Sequence, residues 1–185
     1  MVAAHRESAK LVAMADDEFS PSADRLVEHN AIFADGFDPG SLAPEPTRRL
    51  AVVACMDSRL ALPSILGLAD DEAHVIRNAG GVLTDDVIRS LCLSQRYLGT
   101  REIVLVHHTD CGLQKVNEAE FRTEIEAEVG AVPTWALAAF DDPYDDVRES
   151  IRRLRSSPFL AHTDHIRGFV YDVDTGRLHE VDPDR

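Results

Sequence analysis

Two short apolar runs, residues 50–54 (LAVVA) and 102–107 (EIVLVH), constrain this chain more than any other feature of its sequence. A strand with one face in water alternates apolar and polar residues. A run that does not alternate reads as a strand covered on both faces, the condition of a parallel sheet. Around these runs the period changes. Thr84 is a good N-cap, and Asp85 and Asp86 suit the positive end of a helix. Val87, Ile88, Leu91, Cys92, Gln95 and Leu98 then recur at helical spacing, with Gly99 as the stop. Asn117, with Glu120 three residues on, resembles a capping box and opens a helix that ends near Gly130. Val147, Ile151 and Leu154 mark another amphipathic helix, terminated before Pro158. A short helix over 60–68 around Pro63 and a strand over 73–76 complete the first half. Two late strands, 168–173 and 178–181, flank a turn at Asp174-Thr175-Gly176. Strands alternating with helices predict an α/β fold, a mostly parallel central β-sheet flanked by helices.

Residues 1–49 read as an N-terminal arm, and 50–185 as the α/β domain proper. The arm begins with a short helix, has a second apolar stretch from Leu26 to Phe33, and ends in a Gly/Pro-rich connector over 36–46. It is expected either to pack on its own domain or to embrace a neighbouring subunit. A chain of 185 residues can bury a real core. It has no run near the ~20 apolar residues of a membrane span. The apolar patch at 11–15 meets Asp16, Asp17 and Glu18 at once, unlike a secretory leader. These features predict a cytoplasmic protein without membrane contact. The net charge of −14 repels phosphate backbones and predicts no nucleic-acid partner.

Three cysteines, Cys55, Cys92 and Cys111, with no export signal argue for reduced thiols. Cys92 lies on the apolar face of its helix and reads as core. The other two have different neighbours. The first strand runs into Cys55-Met56-Asp57-Ser58-Arg59, and the third into His107-His108-Thr109-Asp110-Cys111-Gly112. Ligands of open α/β sheets bind beyond the carboxyl ends of the strands. Cys55, His108 and Cys111 therefore fall at one edge of the sheet. The separation of 53 positions (108 − 55) is wrong for a small zinc finger and reasonable for a site built on a sheet. Two thiolates and an imidazole suit Zn²⁺, and three protein ligands leave a fourth position open, as catalytic sites do. H-x-x-C alone is a weak signal, and a buried cysteine pair beside an unrelated histidine is the plain alternative. C-x-D-S-R adds to it, because Arg59 can hold Asp57 in a bidentate pair and aim its carboxylate. Strand alternation points His107 away from His108, as a packed or hydrogen-bonded side chain. Asp110 either tunes charge or is solvated. Gly80 and Gly81 supply a turn or let backbone approach a small substrate. His74, His162 and His165 are further candidates for carrying a proton.

Cys55–Arg59, Arg77–Gly81 and His108–Gly112, in this order and at these separations, resemble the β-carbonic anhydrase family. The resemblance is strong over 50–115. It is closest to the short single-domain branch, in which the HHTDCG run also occurs. It implies one Zn²⁺ per chain on Cys55, His108 and Cys111, with Asp57 and Arg59 as the catalytic dyad. Asp57 would be a possible fourth ligand in a closed form. Asn78, Ala79, Gly80 and Gly81, with Arg77, would line the substrate pocket. The implied activity is reversible hydration of CO₂ to bicarbonate by zinc-bound hydroxide, in a homodimer or higher homo-oligomer. The same branch includes hydrolases of carbonyl sulfide or carbon disulfide, so such a hydrolase is the alternative. Met56 stands where longer members carry a small residue, the approach to Cys55 lacks aromatics, and the chain is shorter after H-x-x-C. These departures touch the pocket more than the metal. A non-catalytic zinc protein would instead need four protein ligands, and a redox dithiol would need no metal.

Overall fold

The apolar runs become neighbours in one sheet. The computed structural model describes residues 20–40 and 42–185 and contains five strands in the order β2-β1-β3-β4-β5. β1 (Leu50–Cys55), β2 (Ala73–Asn78), β3 (Glu102–His108) and β4 (Ile166–Tyr171) run parallel. β5 (Leu178–Glu180) pairs antiparallel with β4. Ala51 to Ala54 are fully buried, as a strand covered on both faces requires. The register sets Cys55 beside Asn78, so β1 and β2 end level.

Two helices cover one face. α3 (Asp85–Leu98) starts under Thr84, whose Oγ1 accepts from the Val87 N–H at 3.3 Å, and stops at left-handed Gly99. α5 (Pro143–Arg155) is capped by Asp142, which accepts from the Tyr144 and Asp145 N–H groups. Its last turn carries Arg152, Arg153 and Arg155, the favourable sign for a helix C-terminus. Leu91 from α3 and Ile151 and Leu154 from α5 bury against Val53, Ile103 and Leu105 of the sheet. Each such side chain contributes roughly 1.5–3 kcal/mol relative to exposure. Cys92 is partly buried against this cluster, in keeping with a core role. At Gly168 a Cβ would overlap the Val147 side chain, so α5 rests directly on β4.

The second face is built differently. Val52, Ala54, Leu62, Val82, Val106 and Leu113 form its core. Its cover comes from α2 (Leu62–Leu66), two 3-10 turns (Ala79–Gly81 and Gly112–Lys115) and the chain around Leu137 to Phe140. α4 (Glu118–Val129) starts where expected, with Asn117 Oδ1 accepting from the Ala119 and Glu120 N–H groups, and ends at left-handed Gly130. None of its residues is buried. Its acid-dense sequence has too few apolar positions on one face to bury against a sheet.

Several boundaries differ from the sequence expectation. β2 runs two residues further, through Arg77 and Asn78. β4 lies two residues earlier than 168–173, because Asp172 already begins the turn: its N–H donates to Arg177 O and its carbonyl accepts from Gly176 N–H, both at 2.8 Å. α2 is shorter than 60–68, since Gly67 is left-handed and its N–H closes the helix on Pro63 O.

The chain divides into two compact units, Met1–Ser41 and Leu42–Arg185. The first contains α1 (Ala23–Asp35), which carries the apolar stretch from Leu26 to Phe33 and has no buried residue. The short helix expected at the very start lies outside the described residues. No helix among the described residues is long and apolar enough to cross a membrane.

Candidate metal centre

β1 and β3 are hydrogen-bonded parallel neighbours as far as Ala54 and Val106, so Cys55 and His108, their last residues, fall at the same edge of the sheet. The turn after β3 must then bring Cys111 back within three residues. Asp110 makes that possible by taking a left-handed φ of 54°, which Asp tolerates better than most residues. Cys55, His108 and Cys111 are all buried, and their candidate ligand atoms lie within 4.8 Å of one another.

The donor set fits a metal ion. The two sulfurs are free and 4.0 Å apart, about twice the ~2.05 Å of a disulfide. Two thiolates on a tetrahedral ion at ~2.3 Å sit about 3.8 Å apart, close to this gap. His108 Nδ1 lies 2.9 Å from Thr109 O, which assigns the proton to Nδ1 and leaves Nε2 as a bare lone pair. Nε2 is buried and has no hydrogen-bond partner. A buried acceptor without a donor is costly unless a cation meets it.

Electrostatics point the same way. The hydrogen bond from Cys111 lowers the pKa of Cys55, overcoming the opposing effect of burial, and His108 lowers it further. The same bond, with burial, raises the pKa of Cys111. Negative charge on the pair is therefore favoured on Cys55 rather than on Cys111. Burial opposes charge on His108, yet its pKa ends above the ordinary value because the Cys55 sulfur beside it favours the charged ring.

Asp57 and Arg59 meet as the spacing predicts. Arg59 Nε donates to Asp57 Oδ1 at 3.0 Å and Nη2 to Oδ2 at 2.8 Å, and the Arg59 backbone N–H donates to Oδ1 at 2.9 Å. These bonds, with the Arg59 side chain the largest influence, hold the Asp57 pKa down at about 2. Asp57 Oδ2 stands 3.7 Å from His108 Nε2, beside the cluster. Asp110 is not simply solvated. Its Oδ2 accepts from Arg59 Nη1 at 3.0 Å, its carbonyl from Nη2 at 3.0 Å, and its Oδ1 from Lys115 Nζ at 2.5 Å.

Arg77 to Gly81 adjoin this edge as a scaffold. Arg77 Nε donates to Cys55 O at 3.0 Å and Nη2 to Asp57 O at 2.8 Å, stitching the chain after β1 to β2. Asn78 O accepts from the Met56 N–H at 2.8 Å, and Asn78 Nδ2 donates to Val82 O at 2.8 Å. Asn78 Oδ1 is buried without a partner. Ala79, Gly80 and Gly81 form a 3-10 turn in which both glycines have positive φ. A Cβ on Gly81 would sit 2.8 Å from Cys55 N and 2.9 Å from the Ala54 carbonyl carbon. The close approach made there is thus to the end of β1.

His107 points away from the cluster, as alternation requires. It is fully buried, with Nε2 at 2.7 Å from Asp146 Oδ2 and its ring 5.2 Å from Phe140. His74 bonds Ser94 and Pro44 O, His162 bonds Arg101, and His165 lies against Asp164. None of these partners belongs to the cluster. Sequence reasoning missed Gln114, whose Oε1 accepts from the Cys111 N–H at 3.1 Å, and Lys115. Both lie on the 3-10 turn after the last cysteine, where no periodic pattern announces contacts.

A cluster of two cysteine sulfurs and an imidazole, with a guanidinium-held carboxylate beside it at the carboxyl edge of a parallel sheet, defines an enzyme-like site that could hold a metal ion. Comparison with known proteins agrees. Residues 50–142 match the family model described as carbonic anhydrase. β-Carbonic anhydrase 1 of Mycobacterium tuberculosis is 50% identical over 160 residues, 86% of this chain and 98% of that protein. The carbon disulfide hydrolase of Acidianus sp. is 33% identical over 156 residues, 71% of this chain and 76% of that protein. The crystal structure of carbonic anhydrase from Streptococcus mutans superposes with a TM-score of 0.81 at 42% identity, covering 89% of this chain and 99% of that one. The chain belongs to the β-carbonic anhydrase family.

Proposed function

We propose that the chain is a zinc-dependent carbonic anhydrase that interconverts CO₂ and bicarbonate. In this reading Cys55, His108 and Cys111 hold one Zn²⁺ per chain. The observation that carries it is the buried, partnerless His108 Nε2 grouped with two thiol sulfurs, one at the end of β1 and one on the turn after β3. When bound, such an ion supplies Lewis-acid activation of water. The protein's own groups do the rest. Asp57 stays ionised throughout the neutral range, because Arg59 holds its pKa at about 2. From 3.7 Å beside His108 Nε2 its carboxylate is placed to accept a hydrogen bond from the attacking water and orient it. Arg59 occupies both carboxylate oxygens and so restrains Asp57 from becoming a fourth ligand. Arg77 and the turn Asn78-Ala79-Gly80-Gly81 hold the Cys55–Asp57 backbone and wall the substrate side.

The alternative is hydrolysis of carbonyl sulfide or carbon disulfide at the same centre. The match to a carbonic anhydrase at 50% identity, against 33% for a carbon disulfide hydrolase, favours CO₂. The test is metal analysis followed by stopped-flow rates on CO₂, carbonyl sulfide and carbon disulfide. The expected result is about one zinc per chain and dominant CO₂ hydration, lost in Asp57→Ala with zinc retained. Turnover of the sulfur compounds without CO₂ hydration would overturn the assignment. The proposal extends to a cytoplasmic homodimer or higher homo-oligomer, in which the 1–49 arm embraces a neighbouring subunit. Three free cysteines support a reducing compartment. Leu26, Val27, Ile32 and Phe33 of α1, exposed at 63–71%, support burial by a second copy. Light scattering with and without residues 1–49 tests the dimer.

A further inference from the structure

We infer that Asp110, braced by Lys115, is a positioning residue that fixes the plane of Arg59 and through it the orientation of Asp57. The inference rests on the proposed role of Asp57 and Arg59. A guanidinium carries five N–H donors in a rigid plane. Asp57 takes two of them, Nε–H and one on Nη2. With that contact alone, a side chain 44% exposed to water can swing with the carboxylate it holds. Asp110 takes the adjacent edge, which shares Nη2: its Oδ2 accepts from Nη1 and its main-chain carbonyl from the second Nη2 hydrogen. Four of the five donors are then committed, on two residues from different segments of the chain. The Asp110 carbonyl belongs to the peptide bond that enters Cys111, so Arg59 is referenced directly to the ligand cage.

Two further features mark Asp110 as built for this. Its left-handed φ of 54° turns carbonyl and side chain toward the same guanidinium, a conformation that suits Asp, Asn or Gly. Lys115 Nζ, 2.5 Å from Oδ1, occupies one carboxylate oxygen and leaves the other for Arg59. Asp110 and Lys115 are 52% and 67% exposed, so as ion pairs they add little stability. Their effect is geometric.

The test uses the zinc-loaded enzyme and the variants Asp110→Gly and Asp110→Asn, both compatible with the left-handed backbone. Asp110→Gly is expected to keep one zinc per chain and a thermal midpoint within about 4 °C of wild type. Its kcat/KM is expected to fall about tenfold, since even an ångström of misplacement costs ~100-fold. Lys115→Met should fall about threefold, Lys115→Arg should restore the rate, and Asp110→Gly/Lys115→Met should be no slower than Asp110→Gly alone. A readout independent of turnover is the ¹⁵N resonance of Arg59 Nε–H, expected to broaden in Asp110→Gly. A kcat/KM within about twofold of wild type, an unchanged Arg59 resonance, or loss of zinc each overturns the inference. If Asp57→Ala and Arg59→Ala lose activity while Asp110→Gly does not, the inference fails and the dyad reading survives. If Asp57→Ala keeps full activity, the dyad reading itself has failed.

Discussion

Gly81→Ala measures how tightly the turn after β2 is pressed onto the end of β1. Two costs add. The residue sits at φ +74°, and an L-residue forced into the left-handed region costs roughly 1–2 kcal/mol. The new methyl would lie 2.8 Å from Cys55 N and 2.9 Å from the Ala54 carbonyl carbon. Both are backbone atoms in a fully buried strand, so neither can rotate away. Overpacking of that kind costs about 1–3 kcal/mol. The sum is ~2–5 kcal/mol. Gly67→Ala is the matched control, because Gly67 has φ +62° but nothing within 4 Å of the built Cβ. It should lose only the first ~1–2 kcal/mol. Urea denaturation at neutral pH gives both values, with the slope m unchanged if the unfolding transition keeps its extent. Zinc content should also drop in Gly81→Ala, because the strained atom is the amide of a proposed ligand, and should hold in Gly67→Ala. If both variants lose the same stability, the contact with β1 is not carrying load and the reasoning is wrong.

Two further outcomes are expected. Asp146→Ala strands the Nε2–H of fully buried His107 and should cost about 1–3 kcal/mol in the same denaturation assay, with Asp146→Asn recovering part of it. For Asp57, whose folded pKa is depressed to about 2, the stabilisation is complete above the ordinary carboxylate value of ~3.9 and is lost as pH falls through about 2. The stability gap between wild type and Asp57→Asn should therefore be constant from pH 7 to about 5 and close by pH 2; a gap that widens in acid contradicts the assignment.

The sequence made some of this legible and hid the rest for physical reasons. Residues 50–54 announce a doubly covered strand because burial on both faces removes the alternation, and Ala51 to Ala54 are indeed fully buried. Thr84 and Gly99 bracket α3 because caps are local chemistry, readable one residue at a time. Cys55, His108 and Cys111 converge because a parallel sheet puts its strand ends at one edge. What could not be read depends on contact between distant segments. The capping signal at Asn117 is real, yet a cap says nothing about what a helix buries, and no residue of α4 is fully buried. Gly81 against Cys55, and Lys115 and Arg59 sharing Asp110, are three-dimensional coincidences with no period. The two-residue offset of β4 follows from hydrogen bonds at Asp172 that compete with the ladder, a contest that composition does not decide.

Cys55 and His108 close adjacent central strands, while Cys111 follows a turn, so the proposed cage exists only where β1 and β3 are already zipped. An ion gripped there would act as a clasp across the carboxyl ends of the two strands. Its binding free energy would then add to the folding free energy of that edge, so chelation should lower the stability of the whole domain rather than loosen a surface loop alone.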